Sequence, residues 1–211
     1  MDDVRCRPRA RRAVLVTIAA SLAAVCLLAA CVAAPAQAAS KVTGGTVTLL
    51  TYPPQAEALF VGGIAPLTTP PATLRLTGDA WRYGFPVSGG RLALANGAGT
   101  VSTRGGLIFW GRETMSAWTE VSFTKLVVTT GTHAKLTGID GADGKRRVLC
   151  TLGAAHATVK KSSGGGHRWV TVGNLRANLS AWLKGQLTAA FPRYEPSADR
   201  LGTVTVKARL D

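Results

Sequence analysis

The sequence is poor in the residues from which most catalytic and metal sites are built. It has three histidines among 211 residues, and no two of them lie three to five positions apart, the spacing of a local metal-binding pair. The Gly-x-Ser-x-Gly pattern of a serine nucleophile is also missing from the sequence. We therefore predict no catalytic residue and no metal site, and we expect His133, His156 and His167 to lie on the surface.

Cysteine is scarce where it could form a structural disulfide. Three of the four cysteines lie between Cys6 and Cys31, which leaves Cys150 alone in the remainder of the chain. One thiol cannot form an internal disulfide. Cys150 shares strand parity with Val148 and Leu152 and has no neighbouring base, so we expect a small buried hydrophobic residue and not a nucleophile.

Acidic residues are few relative to basic ones. The chain has 11 Asp and Glu against 25 Lys and Arg, a formal net charge of +14. This excess attracts anionic partners. The basic clusters Lys145-Arg146-Arg147 and Lys160-Lys161 lack interleaved aromatic residues that could stack on bases. We therefore expect anionic polymers of the cell envelope or a membrane surface as partners, and no specific nucleic acid.

The carboxylates are scattered, and Glu113 with Glu120 is the one pair that suggests a glycoside hydrolase. Five tryptophans could line a carbohydrate groove. Each of them sits in an alternating apolar element, however, which favours packing in the core and the sheets. A glycan-acting hydrolase therefore stays an alternative.

The segment from Met1 to Ala38 has the layout of a secretory signal peptide. Arginines cluster between Arg5 and Arg12, and an uninterrupted apolar run follows from Ala13 to Ala34. Ala36 and Ala38 then supply the small side chains that signal peptidase accepts. We predict cleavage after Ala38, which releases residues 39–211 as one secreted domain.

Two alternatives concern the same segment. Leu28-Ala29-Ala30-Cys31 resembles a bacterial lipobox, in which Cys31 would carry the lipid and anchor the protein to the cell membrane. The apolar run also approaches the roughly 20 residues that span a bilayer, so it could remain as an uncleaved anchor.

Residues 39–211 alternate between apolar and polar positions, with glycine-rich turns at short intervals. Parallel pairing would need crossovers of about a dozen residues, so we expect antiparallel strands. Pro54–Phe60 and Ala181–Phe191 have helical features instead, the second with Ser180 as its cap and Pro192 as its stop. The prediction is an all-β protein, an antiparallel β-sandwich with two short helices, whose similar first and last strands lie close together.

Two glycine pairs adjoin alternating strands, Gly89-Gly90 and Gly105-Gly106. A phosphate-binding loop needs a helix directly after the glycines, and no helical pattern follows either pair. We predict that both pairs turn the chain.

From residue 42 onward the chain repeats a pattern of glycines at strand ends and turns. The segments are Val42-Thr43-Gly44-Gly45-Thr46, Phe85-Pro86-Val87-Ser88-Gly89-Gly90, Gly99-Thr100-Val101 with Gly105-Gly106-Leu107, and Gly202-Thr203-Val204-Thr205-Val206. These motifs resemble secreted β-rich domains of actinobacteria related to the haem-transport-associated (HtaA-like) family. The resemblance implies an antiparallel β-sandwich with two short helices. It also implies, for the haem-binding members, a tyrosine near the start of the domain and a histidine beside a glycine pair. Tyr52 is the candidate tyrosine, whereas Thr103-Arg104 stands where the histidine is expected.

These observations predict an exported binding or structural module, in the cell envelope or outside the cell, without catalytic activity. Haem capture through Tyr52 is the alternative function, and a glycan-acting hydrolase is the third.

Overall fold

The structure, a computed structural model, describes residues 39–112 and 117–211. The predicted processing residues Cys31, Ala36 and Ala38, and the candidate acid Glu113, lie outside the described residues.

The described chain consists of twelve strands and two short helices. The strands are β1 (Ser40–Thr51), β2 (Ile64–Thr69), β3 (Thr73–Thr77), β4 (Ala80–Leu92), β5 (Gly99–Thr103), β6 (Gly106–Arg112), β7 (Trp118–Thr130), β8 (Lys135–Asp140), β9 (Arg146–Gly153), β10 (Thr158–Gly164), β11 (His167–Leu179) and β12 (Arg200–Leu210). The helices are α1 (Pro53–Val61) and α2 (Ala181–Ala190).

Eight of these strands close into an antiparallel barrel. The pairing runs in the order β1-β4-β5-β7-β8-β9-β11-β12 and returns from β12 to β1. The pairing of β7 with β8 joins the two halves of the ring, with Phe123 opposite Asp140 and Thr129 opposite Lys135. Antiparallel pairing is confirmed, but the predicted β-sandwich is wrong, because β7 bonds to β8 where a sandwich would have two free edges.

The other four strands extend this ring. β6 continues from β7 and β2 continues from β6, while β3 pairs with β4 and β10 pairs with β11. The predicted proximity of the first and last strands is confirmed, since β1 and β12 are direct neighbours with Val47 opposite Val206.

Both predicted helices are confirmed, with small changes in their ends. α1 begins with two prolines, whose fixed φ suits the first helical turn and whose missing N–H groups cost no helical bond there. At α2, the Ser180 Oγ accepts a hydrogen bond from the Leu183 N–H at 3.0 Å, which is the predicted N-cap. Leu183 and Leu187 bury the apolar side of α2 in the core.

The two glycine pairs differ from each other. Gly105, with a φ of +82°, lies in the turn between β5 and β6, as predicted. Gly89 and Gly90 instead lie inside β4, next to a register shift between Val87 and Gly89. The predicted turn is wrong there. At Gly90 a Cβ would collide with the Thr100 carbonyl oxygen on β5, so glycine serves close approach of two strands.

A single apolar core fills the barrel and extends under both helices. Its largest buried side chains include Tyr83, Phe85, Phe109, Phe123 and Phe191. Among residues 39–112 and 117–211, no helix has the length and apolarity needed to cross a membrane.

Candidate functional site

An apolar cleft lies between α1 and the hairpin formed by β3 and β4. Its volume is about 680 Å³, within the usual range of roughly 300–1,000 Å³ for small-molecule sites. We call it the α1 cleft. Its lining residues are Pro53, Pro54, Ala56, Glu57, Phe60, Leu76, Gly78, Asp79 and Trp81.

The helix and the hairpin each supply a large exposed side chain to the α1 cleft. Phe60 is 75% exposed and Leu76 is 72% exposed, values that are unusual for residues of this size and hydrophobicity. Leu76 lies directly opposite Trp81 in the β3–β4 register, so both project from the same face of the hairpin. Exposed apolar side chains grouped around a concavity are typical of a binding surface.

Tyr52, the tyrosine singled out by the family resemblance, is the N-cap residue of α1. Its carbonyl oxygen accepts hydrogen bonds from the Gln55 and Ala56 N–H groups, both at 2.9 Å, and its own N–H donates to the Leu201 carbonyl oxygen at 2.8 Å. The guanidinium carbon of Arg200 lies 4.8 Å from the centroid of its half-buried ring. Tyr52 is therefore fixed where the chain enters the cleft-lining segment Pro53-Pro54.

α1 is held in place by a buried polar contact that sequence reasoning missed. The Gln55 side-chain amide donates a hydrogen bond to the Tyr194 hydroxyl, and both side chains are buried. Burial raises the pKa of Tyr194 to about 12. No local pattern could have signalled this contact, because the two residues are 139 positions apart.

Thr103-Arg104, which replaces the expected histidine, lies far from Tyr52. The Thr103 Oγ1 donates to the Leu126 carbonyl oxygen at 3.2 Å, and Thr103 lies opposite Val87 on β4. The neighbour of Tyr52, Thr51, contacts β4 at Trp81. The stretch of β4 from Trp81 to Val87 spans about 20 Å. The structure therefore does not bring the two family positions together.

The three histidines and Cys150 have the exposure that the sequence predicts. His133, His156 and His167 are exposed, as predicted, and His156 lies in a turn. Cys150 is fully buried, and burial raises the pKa of its thiol to about 12, so it lacks the thiolate that a nucleophile needs. Within the described ranges, no three His, Cys, Asp or Glu side chains converge to hold a metal ion.

Two of the five tryptophans pack on the outer surface of the sheet and not in the core. Trp110 on β6 and Trp118 on β7 stack on the outer surface with ring centroids 3.9 Å apart, and the Arg112 guanidinium lies 4.7 Å from the Trp118 ring. They are diagonal neighbours on paired strands, a position from which long side chains reach each other. Glu120, one of the two suggested hydrolase acids, is exposed opposite Trp110.

Comparison with known proteins identifies a shared fold. No family model and no curated protein matches the sequence. Among solved structures, the C-terminal domain of HtaA from Corynebacterium glutamicum superposes with a TM-score of 0.51 at 13% identity, over 82% of this chain and 99% of that domain. The heme binding protein HtaB from the same organism gives a TM-score of 0.48 at 13% identity, over 82% of this chain and 96% of that one. The resemblance to the HtaA-like domains is confirmed at the level of the fold.

Proposed function

We propose that this protein is an exported, non-catalytic binding module that captures a flat, largely apolar ligand in the α1 cleft, with haem as the ligand. The observation that carries the proposal is the open apolar cleft, whose lining begins at Pro53, the residue after Tyr52, in a domain with the HtaA fold. The haem-binding members of the HtaA-like family, which the sequence resembles, use a tyrosine near the start of the domain, and Tyr52 holds that place.

The residues of the α1 cleft suit the body of a porphyrin. Phe60, Leu76 and Trp81 offer apolar contact area to a flat ring, and burying such a ring would also cover side chains that now face water. Haem would supply a ferric iron, for which a phenolate oxygen is a suitable ligand. The Arg200 guanidinium carbon lies 4.8 Å from the centroid of the Tyr52 ring, a cation–π contact that helps to hold this ring in place.

The charges of the α1 cleft would set the orientation of the ligand. Glu57 and Asp79 line the cleft and are exposed, so they repel the two propionates of haem and favour a pose in which these groups point to solvent. Thr103 stands in place of the histidine partner and does not assist Tyr52. Its hydroxyl donates to the Leu126 carbonyl oxygen, and it lies about 20 Å along β4 from the Trp81 position. Capture would therefore rest on one tyrosine and the apolar walls.

A hemin titration followed by absorption spectroscopy tests this proposal. We expect a saturable change of the Soret band with one haem per chain, a loss of the tyrosinate-type spectrum in Tyr52→Phe, and weaker binding in the double variant Phe60→Ser/Leu76→Ser. Val159→Ser on β10 is the matched control, since Val159 is an exposed apolar residue outside the cleft. Unsaturable binding, or a Tyr52→Phe variant with the wild-type spectrum and affinity, would refute haem capture.

Glycan hydrolysis is the second candidate, because two carboxylates and Trp81 line the same cleft. Glu57 and Asp79 are both exposed, whereas a general acid usually sits in a desolvated pocket that keeps its proton near neutral pH. A release assay on soluble glycans decides between the two functions. Turnover that Glu57→Gln and Asp79→Asn abolish would establish the hydrolase and displace the binding module.

A further inference from the structure

Six neighbouring strands present one continuous outer surface of the barrel. In spatial order these strands are β3, β4, β1, β12, β11 and β10. At about 4.8 Å between neighbouring strands, they form a surface roughly 24 Å wide. Their inward residues, such as Val47, Phe85 and Val206, are buried in the core, so the alternate residues point to solvent.

Basic side chains recur in the outward rows of this surface. One row crosses five strands as Arg75, Arg82, Leu50, Thr203 and Arg176. Another row runs Pro86, Thr46, Lys207, Thr171 and Lys160. A third contains Gly44, Arg209, Trp169 and Ser162. We call this surface the basic face, and its cations are Arg75, Arg82, Arg176, Lys207, Arg209 and Lys160.

Acidic residues do not interrupt the basic face. The acids of these strands and their turns lie at strand ends, at Asp79, Asp199 and Asp211. In the part of the chain that the structure describes, none of the six cations forms an ion pair; Lys207 lies 5.2 Å from the Trp169 ring instead. The outward positions between the cations are mostly small or hydroxylated, including Thr46, Thr171, Thr203 and Ser162.

Two cations of the basic face repel each other across paired strands. Arg75 and Arg82 lie directly opposite each other on paired strands, an arrangement in which like charges destabilise a sheet. Both are exposed and neither has an acidic neighbour in the register. A bound anion between the two guanidinium groups would remove this repulsion.

We propose that the basic face binds a linear anionic glycan. Cations about two strand spacings apart, such as Lys207 and Lys160, can meet successive charges of an extended polymer. The threonine and serine hydroxyls between them can exchange hydrogen bonds with sugar hydroxyls. This site lies outside the α1 cleft, so it is independent of haem capture.

The composition of the basic face disfavours the other polyanions. Single-stranded nucleic acid is bound on exposed aromatic platforms, whereas Trp169 is half-buried and lies beside Lys207. Binding to a lipid surface relies on apolar side chains that insert beside the cations, and Leu50 is the large aliphatic residue among the three rows. The hydroxyl-rich surface matches a glycan better than either of these.

Binding of fluorescent polygalacturonate, measured by anisotropy at several salt concentrations, tests the proposal with the full protein. We expect saturable binding that weakens with salt. The triple variant Arg82→Gln/Arg176→Gln/Lys207→Gln should bind at least about tenfold more weakly. The matched control Lys135→Gln/Lys161→Gln/Arg193→Gln removes the same charge from exposed positions outside these rows and should bind within about twofold of wild type.

Other outcomes would overturn the proposal. Equal loss in both triple variants would show that net charge alone attracts the polymer. Tighter binding to duplex DNA or to phosphatidylglycerol vesicles than to polygalacturonate, with the same dependence on the three residues, would assign the basic face to a different partner. Circular dichroism and the hemin titration, run on both triple variants, verify that the fold and the α1 cleft are intact.

Discussion

Gln55 and Tyr194 form a buried hydrogen bond that joins the first turn of α1 to the segment after α2. The Gln55 Oε1 has no hydrogen-bond partner, so the donation to the Tyr194 hydroxyl is the contact that compensates for burying this side chain. Because Gln55 lies between Pro54 and Ala56 of the α1 cleft, the contact also determines where one wall of the cleft stands.

Removing one member of this pair should destabilise the protein more than replacing both. We expect Tyr194→Phe or Gln55→Met alone to lower the free energy of unfolding by about 1–3 kcal/mol, because a buried polar group is left unpaired. The double variant should lie closer to wild type than the sum of the two single changes. Urea denaturation of the four proteins in a double-mutant cycle measures the coupling, and strictly additive changes would contradict it.

Stability should fall at alkaline pH because three buried acids, Tyr83, Tyr194 and Cys150, keep their protons in the fold. Burial raises the pKa of Tyr194 from 10.0 to about 12 and that of Cys150 from 9.0 to about 12. Above pH 9 the unfolded chain loses these protons while the folded chain retains them, so the free energy of unfolding decreases as pH rises to about 12.

Denaturation midpoints measured from pH 8 to 11 detect this effect. Cys150→Ala should flatten the profile from about pH 9 upward, and Tyr194→Phe should flatten it from about pH 10 upward. An unchanged slope in both variants would mean that other groups cause the alkaline loss.

Gly90 should tolerate no side chain. Gly90→Ala places a Cβ against the Thr100 carbonyl oxygen at a φ of +141°, so we expect a loss of about 2–4 kcal/mol in unfolding free energy. Gly164→Ala is the control, because no atom lies within 4 Å of its added Cβ. Thermal melts that show equal, small effects for both variants would refute the role assigned to Gly90.

The repulsion between Arg75 and Arg82 should lower the free energy of unfolding. Arg75→Glu creates an attractive cross-strand pair, so we expect an increase in unfolding free energy of about 0.2–1 kcal/mol, measured by urea denaturation at low salt. High salt should reduce the gain through screening. A decrease in stability would show that the guanidinium of Arg75 has favourable contacts in the fold.

The sequence between Met1 and Ala38 predicts where the exported protein begins. We expect N-terminal sequencing of the released protein to start at Ala39, and Cys31→Ser to leave release unchanged. Incorporation of labelled fatty acid that Cys31→Ser abolishes would instead support the lipoprotein alternative.

Local sequence signals predicted the strands and helices better than the way in which the strands pair. Alternation located most strands, and Ser180 located the start of α2, because both signals act over a short stretch of chain. β2 does not show a clear strand pattern in the sequence, since Pro66 weakens that pattern and is tolerated here in a strand that pairs on one side with β6. Gly89-Gly90 was assigned to a turn because glycine also permits close strand approach, and the sequence does not distinguish the two uses.

Neither the barrel nor the two proposed binding surfaces could be predicted in the same way. Closure depends on the pairing of β7 with β8 in addition to that of β7 with β5 and β6, and nothing in the sequence of β7 specifies three partners. The cations of the basic face come from Arg75, Arg176 and other positions that are distant along the chain. The register of the paired strands is what brings these residues into the same rows.

The direct pairing of β1 with β12 has a consequence for folding. Ser40–Thr51 and Arg200–Leu210 are neighbours in the barrel although every other strand lies between them along the chain. Because β1 has only β4 on its other side, the ring stays open and its apolar interior stays accessible until β12 has paired. Contacts between such distant segments form slowly, so the partly closed chain is exposed to aggregation before the ring is complete.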